Sequence, residues 1–238
     1  MEISGKLALV TGGTDGIGLK IAQQLKARGA RVIVCGRRQD RLDAALAEEF
    51  EAIAADLSNV EGVDTLFKHI RARDLDIVIN NAGVGEEYIL DDVIDLDATD
   101  RSIFLNLNAP MRLIALLIPQ LRTRPAAMIV NVTSGLAIAP SINASYCATK
   151  AGLRSFTASI RAQMKGSNII VAEALPPLVD TAMTSHRAGA KMTAQECARQ
   201  IVEGIARGKT EIYVGQVKLL RFIFGLSPRL AQNIMLRF

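Results

Sequence analysis

The tightest constraint on this chain's fold is a five-residue apolar run that ends in a glycine-rich turn and continues as an amphipathic helix. Leu7-Ala8-Leu9-Val10-Thr11 reads as a buried strand, and the helix runs from about Ile17 to Arg28. Between them lies Gly12-Gly13-Thr14-Asp15-Gly16-Ile17-Gly18. Glycines permit the tight turn and a close backbone approach, and the helix N-terminus offers free N–H groups to a pyrophosphate. Strand, turn and helix are the opening of a dinucleotide-binding βαβ unit. The spacing Thr-Gly-x-x-x-Gly-x-Gly, set by Gly12, Gly16 and Gly18, differs from the common GxGxxG form. Thr14, Asp15 and Ile17 stand between these glycines as further candidate contacts.

Alternation of apolar runs with amphipathic stretches continues along the whole chain, the mark of a parallel sheet with helices on both faces. Strands are expected at Leu7–Thr11, Arg31–Cys35, Glu51–Ala55, Ile77–Asn80, Met128–Val132, Ile169–Ala174 and Glu211–Val214. Helices are expected near Ile17–Arg28, Asp40–Glu49, Val60–Ala72, Ala98–Leu121, Ser145–Lys165 and Thr193–Arg207. Thr193 with Glu196 reads as a capping box for the last helix. The fold class is therefore α/β: a Rossmann-type, doubly wound, parallel seven-stranded sheet. With 238 residues and no linker, repeat or low-complexity stretch, residues 1–238 read as one domain. The ligand crevice belongs at the carboxyl ends of the strands.

Tyr146 and Lys150 lie four residues apart in an expected helix, so both occupy one face. A nearby ammonium favours phenolate and is expected to lower the Tyr pKa. A tyrosine so poised can give or take a proton, as reduction of a carbonyl or oxidation of an alcohol requires.

With these motifs in place, the chain resembles the short-chain dehydrogenase/reductase family, in its single-domain branch. Thr11–Gly18, Asp56, Asn80-Asn81-Ala82-Gly83, Asn106, Ser134, Tyr146, Lys150 and Pro176–Thr181 occur in the family's order. The Val-Thr-Ser-Gly-Leu-Ala and Leu-Pro-Pro-Leu-Val-Asp-Thr segments look most like the subgroup named after the D-alanine-export-associated oxidoreductase. The resemblance implies an NADP(H)-dependent oxidoreductase that interconverts a small-molecule carbonyl and an alcohol. Tyr146 would be the general acid–base. Lys150 would tune it and hold the nicotinamide ribose, Ser134 would bind the substrate oxygen, and Asn106 would steady a water linked to Lys150. Asn108 is an alternative to Asn106, and Thr133 to Ser134, which lies one residue nearer Tyr146 than is usual. By the same resemblance Asp56 accepts from the adenine amino group and Leu57 packs by the ring, although Asp56 also reads as a helix cap near Ser58-Asn59. Asn80, Ala82 and Gly83 would flank the cofactor. Pro176, Val179 and Thr181 would hold the nicotinamide carboxamide. Residues 182–192, with Met183, His186 and Arg187, lie where the family carries a substrate lid.

An acid closing the second strand would accept from the adenosine ribose and repel a 2′-phosphate. This chain has Gly36-Arg37-Arg38 instead. A planar guanidinium matches a phosphate, so Arg37, with Arg38 second, points to NADP(H) over NAD(H). A redox-inert NADP-binding regulator on the same fold is the rival reading. Composition bounds the remainder. A net charge of +4 without a basic run or aromatic platform gives no case for nucleic acid. Cys35, Cys147 and Cys197 are scattered, read as free thiols of a reducing cytoplasm, and imply no metal. The N-terminus lacks a signal peptide's apolar core, and no uninterrupted apolar run suffices to cross a bilayer. The basic, apolar tail Val217–Phe238 is expected to pack on the core or on a partner subunit rather than on lipid. A homodimer or homotetramer is implied by resemblance, through the helices near Ala98–Leu121 and Ser145–Lys165.

Overall fold

The computed structural model describes every residue except 87, 92, 188, 237 and 238. Seven strands form the main sheet: β1 (Leu7–Thr11), β2 (Arg31–Gly36), β3 (Glu51–Ala54), β4 (Ile77–Asn80), β5 (Ala127–Val132), β6 (Ile169–Leu175) and β9 (Glu211–Tyr213). All are parallel, in the order β3-β2-β1-β4-β5-β6-β9, as the alternating pattern predicts. A second, two-stranded sheet, β7 (Val179–Asp180) with β8 (Met192–Thr193), is too short to leave a periodic signal in sequence. It closes the base of the loop expected to act as a lid.

Successive residues of a strand face opposite sides of the sheet, so each strand feeds two cores. On one side Ala8 and Val10 pack with α1 (Gly16–Ala27), α2 (Gln39–Ala47) and α7 (Ala194–Ala206). On the other, Leu7 and Leu9 pack with α3 (Val60–Ile70), α5 (Ala109–Arg122) and α6 (Ala144–Gln163). Helix α1 shows the pattern plainly: Gly18, Ile21, Ala22 and Leu25 form its buried stripe. Thr193 does cap α7, accepting from the Glu196 N–H at 3.2 Å, while the Glu196 carboxylate is taken by Arg199 and Gln200.

One expected helix differs in detail. The segment near Ala98–Leu121 begins as α4 (Leu96–Ile103), widens into a π-turn over Phe104–Asn108, and continues as α5. Pro110 explains the widening, because a proline has no N–H and its ring collides with the carbonyl four residues back, here Asn106. By length and composition the continuous Leu96–Arg122 helix is apolar enough to cross a membrane. Its Leu113, Leu117 and Leu121 are instead buried against the sheet. The tail also folds, into α8 (Val217–Leu226) and α9 (Pro228–Met235). Val217, Leu220 and Phe224 of α8 pack on Ile138 and Leu175, so one face of the tail does sit on the core. Its last two residues lie outside the described part.

The order of strands reverses between β1 and β4, and there the chain is stitched tightly. The Thr11 hydroxyl accepts from the N–H groups of Asn81 and Ala82 at 3.0 and 3.1 Å. The Asn81 amide returns bonds to the carbonyls of Thr11 and Gly12 at 3.1 and 3.3 Å. Thr11→Val keeps the shape and removes the acceptor for two N–H groups. It should cost about 1–3 kcal/mol in urea denaturation, with the slope unchanged. Wild-type stability in that variant would contradict the stitch.

Candidate active site

The candidate residues gather at the carboxyl edge of the sheet, on either side of that crossover. Gly12, with φ 62°, leads the turn. A Cβ on Gly12 would fall 2.9 Å from the Ala82 Cα, and one on Gly18 would fall 2.2 Å from the Gly12 carbonyl oxygen. Only bare backbone fits at both. Asp15 caps α1, its carboxylate accepting from the Gly16 N–H at 2.7 Å. The N–H of Leu19 bonds the Asp15 carbonyl, and helix geometry leaves Ile17 and Gly18 without intrahelical acceptors. Asp15 also lies 3.6 Å from the Arg41 guanidinium. Sequence reasoning missed Arg41. It lies in the first turn of α2, whose start follows directly on the Gly36-Arg37-Arg38 turn. The Arg41 Nε is buried without a hydrogen-bond partner.

At the end of β2, Gly36 packs against Thr14 so closely that a Cβ there would lie 2.4 Å from the threonine hydroxyl. Of the two arginines that follow, Arg38 is held by Asp40 through two bonds of 3.1 and 2.7 Å. Arg37 is exposed and has no ion-pair partner among the described residues. Asp56 turns its carboxylate to the Ser58 N–H at 3.1 Å, and Asn59 is the cap of α3. Leu57 is buried in the core beneath β3. The Asn80 side chain turns into the central sheet. It is 4% exposed and donates to Asn131, whose amide in turn donates to Thr157, a ladder across β4, β5 and α6. Asn81 is the neighbour that holds the glycine turn.

The catalytic candidates converge. Asn143 caps α6 by accepting from the Tyr146 N–H at 3.3 Å, and it donates to the Glu86 carbonyl at 2.8 Å. Tyr146 and Lys150 then project from one face of α6, the Lys150 Nζ 5.6 Å from the ring centroid. That ammonium is buried and donates to the Val132 carbonyl at 3.0 Å, at the end of β5. Two residues on, the Ser134 hydroxyl accepts from the Leu136 N–H at 3.1 Å and faces the Tyr146 phenol, whose pKa it draws down. Thr133 points elsewhere, donating to Glu173 at 2.7 Å, so Ser134 is the hydroxyl beside Tyr146. Asn106, swung inward by the π-turn, grips Val84 through both N–H and C=O at 2.9 and 2.8 Å. It reaches Thr149 of α6 at 3.3 Å. A Cβ on Gly83 would stand 2.9 Å from the Asn106 Oδ1 and 3.4 Å from the Lys150 Nζ, so these three meet at one point.

The expected lowering of the Tyr146 pKa is not what the protein's own groups produce. Burial dominates and pushes the phenol up to about 12, with the Ser134 bond and the Arg187 charge pulling it partly back and Cys147 adding to the rise. Burial likewise pushes Lys150 down from 10.5 to about 8. The ammonium donates to Val132 and lies beside the Tyr146 ring.

The segment after β6 folds over the glycine turn. A Cβ on Gly16 would meet the Thr181 methyl at 3.3 Å. The Pro176 carbonyl accepts from the Gly135 N–H at 2.9 Å, and the Val179 carbonyl accepts from the Thr184 hydroxyl at 2.5 Å. Thr181 caps the short helix Ala182–Thr184. A Cβ on Gly85 would lie 3.6 Å from the Met183 sulfur and 3.9 Å from the Tyr146 ring, which puts the lid's first residues at the mouth of the site. His186 and Arg187 belong to the same loop, of which residue 188 lies outside the described part. Among the described residues no three His, Cys, Asp or Glu side chains gather as a metal site requires.

Comparison with known proteins gives this arrangement a context. A family model described as short chain dehydrogenase matches residues 6–191. The uncharacterized oxidoreductase DltE of Bacillus subtilis (strain 168) is 33% identical over 93% of this chain and 92% of its own. A short chain dehydrogenase from Burkholderia cenocepacia J2315, solved with NADP, superposes with a TM-score of 0.88 at 26% identity, covering 99% of each chain. A relative from Burkholderia phymatum, solved with NAD, shares the fold at 21% identity and a TM-score of 0.81, covering 95% of this chain and 96% of its own.

The buried lysine makes a pH prediction. Its folded pKa is depressed, so the unfolded chain binds that proton more tightly. Folding is penalised below about pH 8, and the penalty fades as pH climbs to 10.5. Relative to Lys150→Met, the native protein should therefore gain up to about 3 kcal/mol between about pH 7 and pH 10.5. Urea denaturation at the two pH values reads this directly. Parallel pH dependences in both proteins would contradict it.

Proposed function

The chain belongs to the short-chain dehydrogenase family, and from that premise we propose an NADP(H)-dependent oxidoreductase that interconverts a carbonyl and a primary or secondary alcohol. The observation that carries the reading is the convergence of Ser134, Tyr146 and Lys150 with Asn106 behind them. The bound nicotinamide would supply the hydride. The glycine turn and the first turn of α1 would hold the cofactor's pyrophosphate and Thr181 the nicotinamide carboxamide, with Lys150 at the ribose and Asp56 near the adenine. Their bare backbone and unanswered N–H groups suit such a ligand.

In reduction, the Tyr146 phenol donates its proton to the carbonyl oxygen as that oxygen gains charge, and the Ser134 hydroxyl hydrogen-bonds the same oxygen. A phenol held near 12 is fully protonated at neutral pH, the form that reduction uses. Lys150 is still largely charged there and stabilises the phenolate left behind. Asn106 and Gly83 meet Lys150 where a water could return the proton from solvent. The rival reading, a redox-inert nucleotide-binding regulator, gives no reason to bury a lysine beside a tyrosine at the cost just described.

For the phosphorylated cofactor, the support is local. Thr14 fills the space where a side chain at position 36 would stand, so the acid that would repel a 2′-phosphate has no room. Arg37 is open to such a phosphate. We further assign a homodimer or homotetramer through α4–α5 and α6, and a cytoplasmic location in keeping with three free, buried thiols.

Two measurements test this. Tyr146→Phe keeps the ring and deletes the hydroxyl, so turnover with NADPH on a panel of aldehydes and ketones should fall on the order of 10²–10⁴-fold while cofactor binding survives. Near-normal turnover would reject the mechanism. Arg37→Ala should weaken NADPH by about 1.5–3 kcal/mol, roughly 10- to 150-fold, and leave NADH nearly unchanged. Equal losses for both cofactors would reject the phosphate assignment.

A further inference from the structure

Helix α8 has two apolar faces, and the fold uses one. Val217, Leu220 and Phe224 turn inward onto Ile138 and Leu175. Stepping 100° per residue puts Leu219, Phe222 and Leu226 on the opposite side, where they are 60%, 64% and 72% exposed. Leu230 of α9 adds a further exposed apolar side chain. A helix apolar on both sides calls for cover on both.

Charge identifies the cover. The chain has 28 Lys and Arg against 24 Asp and Glu, and no acidic residue follows Glu211. Four basic residues do: Lys218, Arg221, Arg229 and Arg237. Everything up to Glu211 is therefore balanced at 24 of each sign, and the whole net charge of +4 belongs to the tail. Lys218 lies on the same side as Phe222, Arg221 flanks it, and Arg229 stands on α9, all three exposed.

We propose that the α8–α9 hairpin docks the protein on an anionic lipid surface, with Leu219, Phe222 and Leu226 in the acyl boundary and the basic side chains among the headgroups. Such a surface answers the apolar stripe and the acid-free charge together. A second copy of the chain answers only the first. A two-fold contact on this stripe would set Lys218, Arg221 and Arg229 of each copy against their equivalents, with no acid in the segment to separate them. The sequence expectation that the tail packs on protein thus holds for its inner face alone. Interruptions in the apolar pattern hid the outer stripe, because only the helix brings residues three and four apart into line. The hairpin also adjoins the site. Gly135, beside Ser134, packs under Val217 and Leu220, and Gly215 packs under Met192 at the end of the lid. Docking would bring the site's mouth near the bilayer.

The test uses the full chain, with no substrate or cofactor, so its outcome is independent of the oxidoreductase reading. Co-sedimentation with phosphatidylglycerol–phosphatidylcholine vesicles should show binding at least about tenfold tighter than with phosphatidylcholine alone, released by high salt. Lys218→Glu with Arg221→Glu should weaken it on the order of tenfold or more, and Leu219→Ser with Phe222→Ser similarly. These side chains are exposed, so melting should be unchanged; should the apolar variant unfold, the charge variant decides. Absence of wild-type binding, or binding indifferent to the charge variant, overturns the proposal. So does a wild-type dimer that the apolar variant splits without any vesicle binding, which would mean that a second copy covers the face.

Discussion

The site depends on the stitch between the ends of β1 and β4. A doubly wound sheet opens a crevice where its strand order reverses, and an open crevice would leave backbone N–H groups unanswered at its floor. Here the Thr11 hydroxyl takes two of them, and the Asn81 amide ties the first glycine of the turn back to β4. Gly12 and Gly18 can then lie within van der Waals contact of neighbouring backbone, which gives α1 its bare N-terminus. The loop after Asn81 leads on to Gly83, Val84 and Gly85, each in contact with a residue of the catalytic group. One hydroxyl and one amide thus register the glycine turn against the strand end that leads to the proposed catalytic residues.

The catalytic half is arranged around a group that weakens the fold. Lys150 is 4% exposed, and its hydrogen bond to Val132 does not offset the loss of water, which lowers its pKa. Nearby polar pairs are better answered. Glu173 is buried and its carboxyl is raised by burial, yet it receives bonds from Thr133 and Arg154, both at 2.7 Å. That pair anchors Thr133, just past the end of β5 and next to Ser134. The contrast separates structural polarity, which is satisfied, from the polarity a reaction needs, which is left partly unsatisfied.

Much of this was legible in the sequence, because local rules and the global fold agree. Apolar runs placed all seven strands of the main sheet to within a residue at each end, and the ordered motifs named the glycine turn, Asn106, Ser134, Tyr146 and Lys150, but not Arg41, Val84, Asn143 or Thr149. What escaped was set by tertiary context. A two-residue strand has no period to read, so β7 and β8 were invisible. The π-turn needed the collision between Pro110 and the Asn106 carbonyl, a contact visible only once a helix is drawn. Asn80 and Asn81 are adjacent and chemically identical, and only the pleat of β4 decides which faces Asn131 and which the glycine turn. The Tyr146 pKa was misjudged because spacing reports proximity of charge and says nothing of burial.

The central claim is that Lys150 and Tyr146 act as one protonic unit, with the lysine's charge supporting the phenolate that reduction leaves behind. The most direct measurement is the pH profile of kcat/KM for NADPH in carbonyl reduction, which reports the ionisations of the free protein. The account predicts a plateau at low pH and a fall as pH rises through about 8, where Lys150 loses its proton. A rate that stays level until the phenol itself titrates would contradict it.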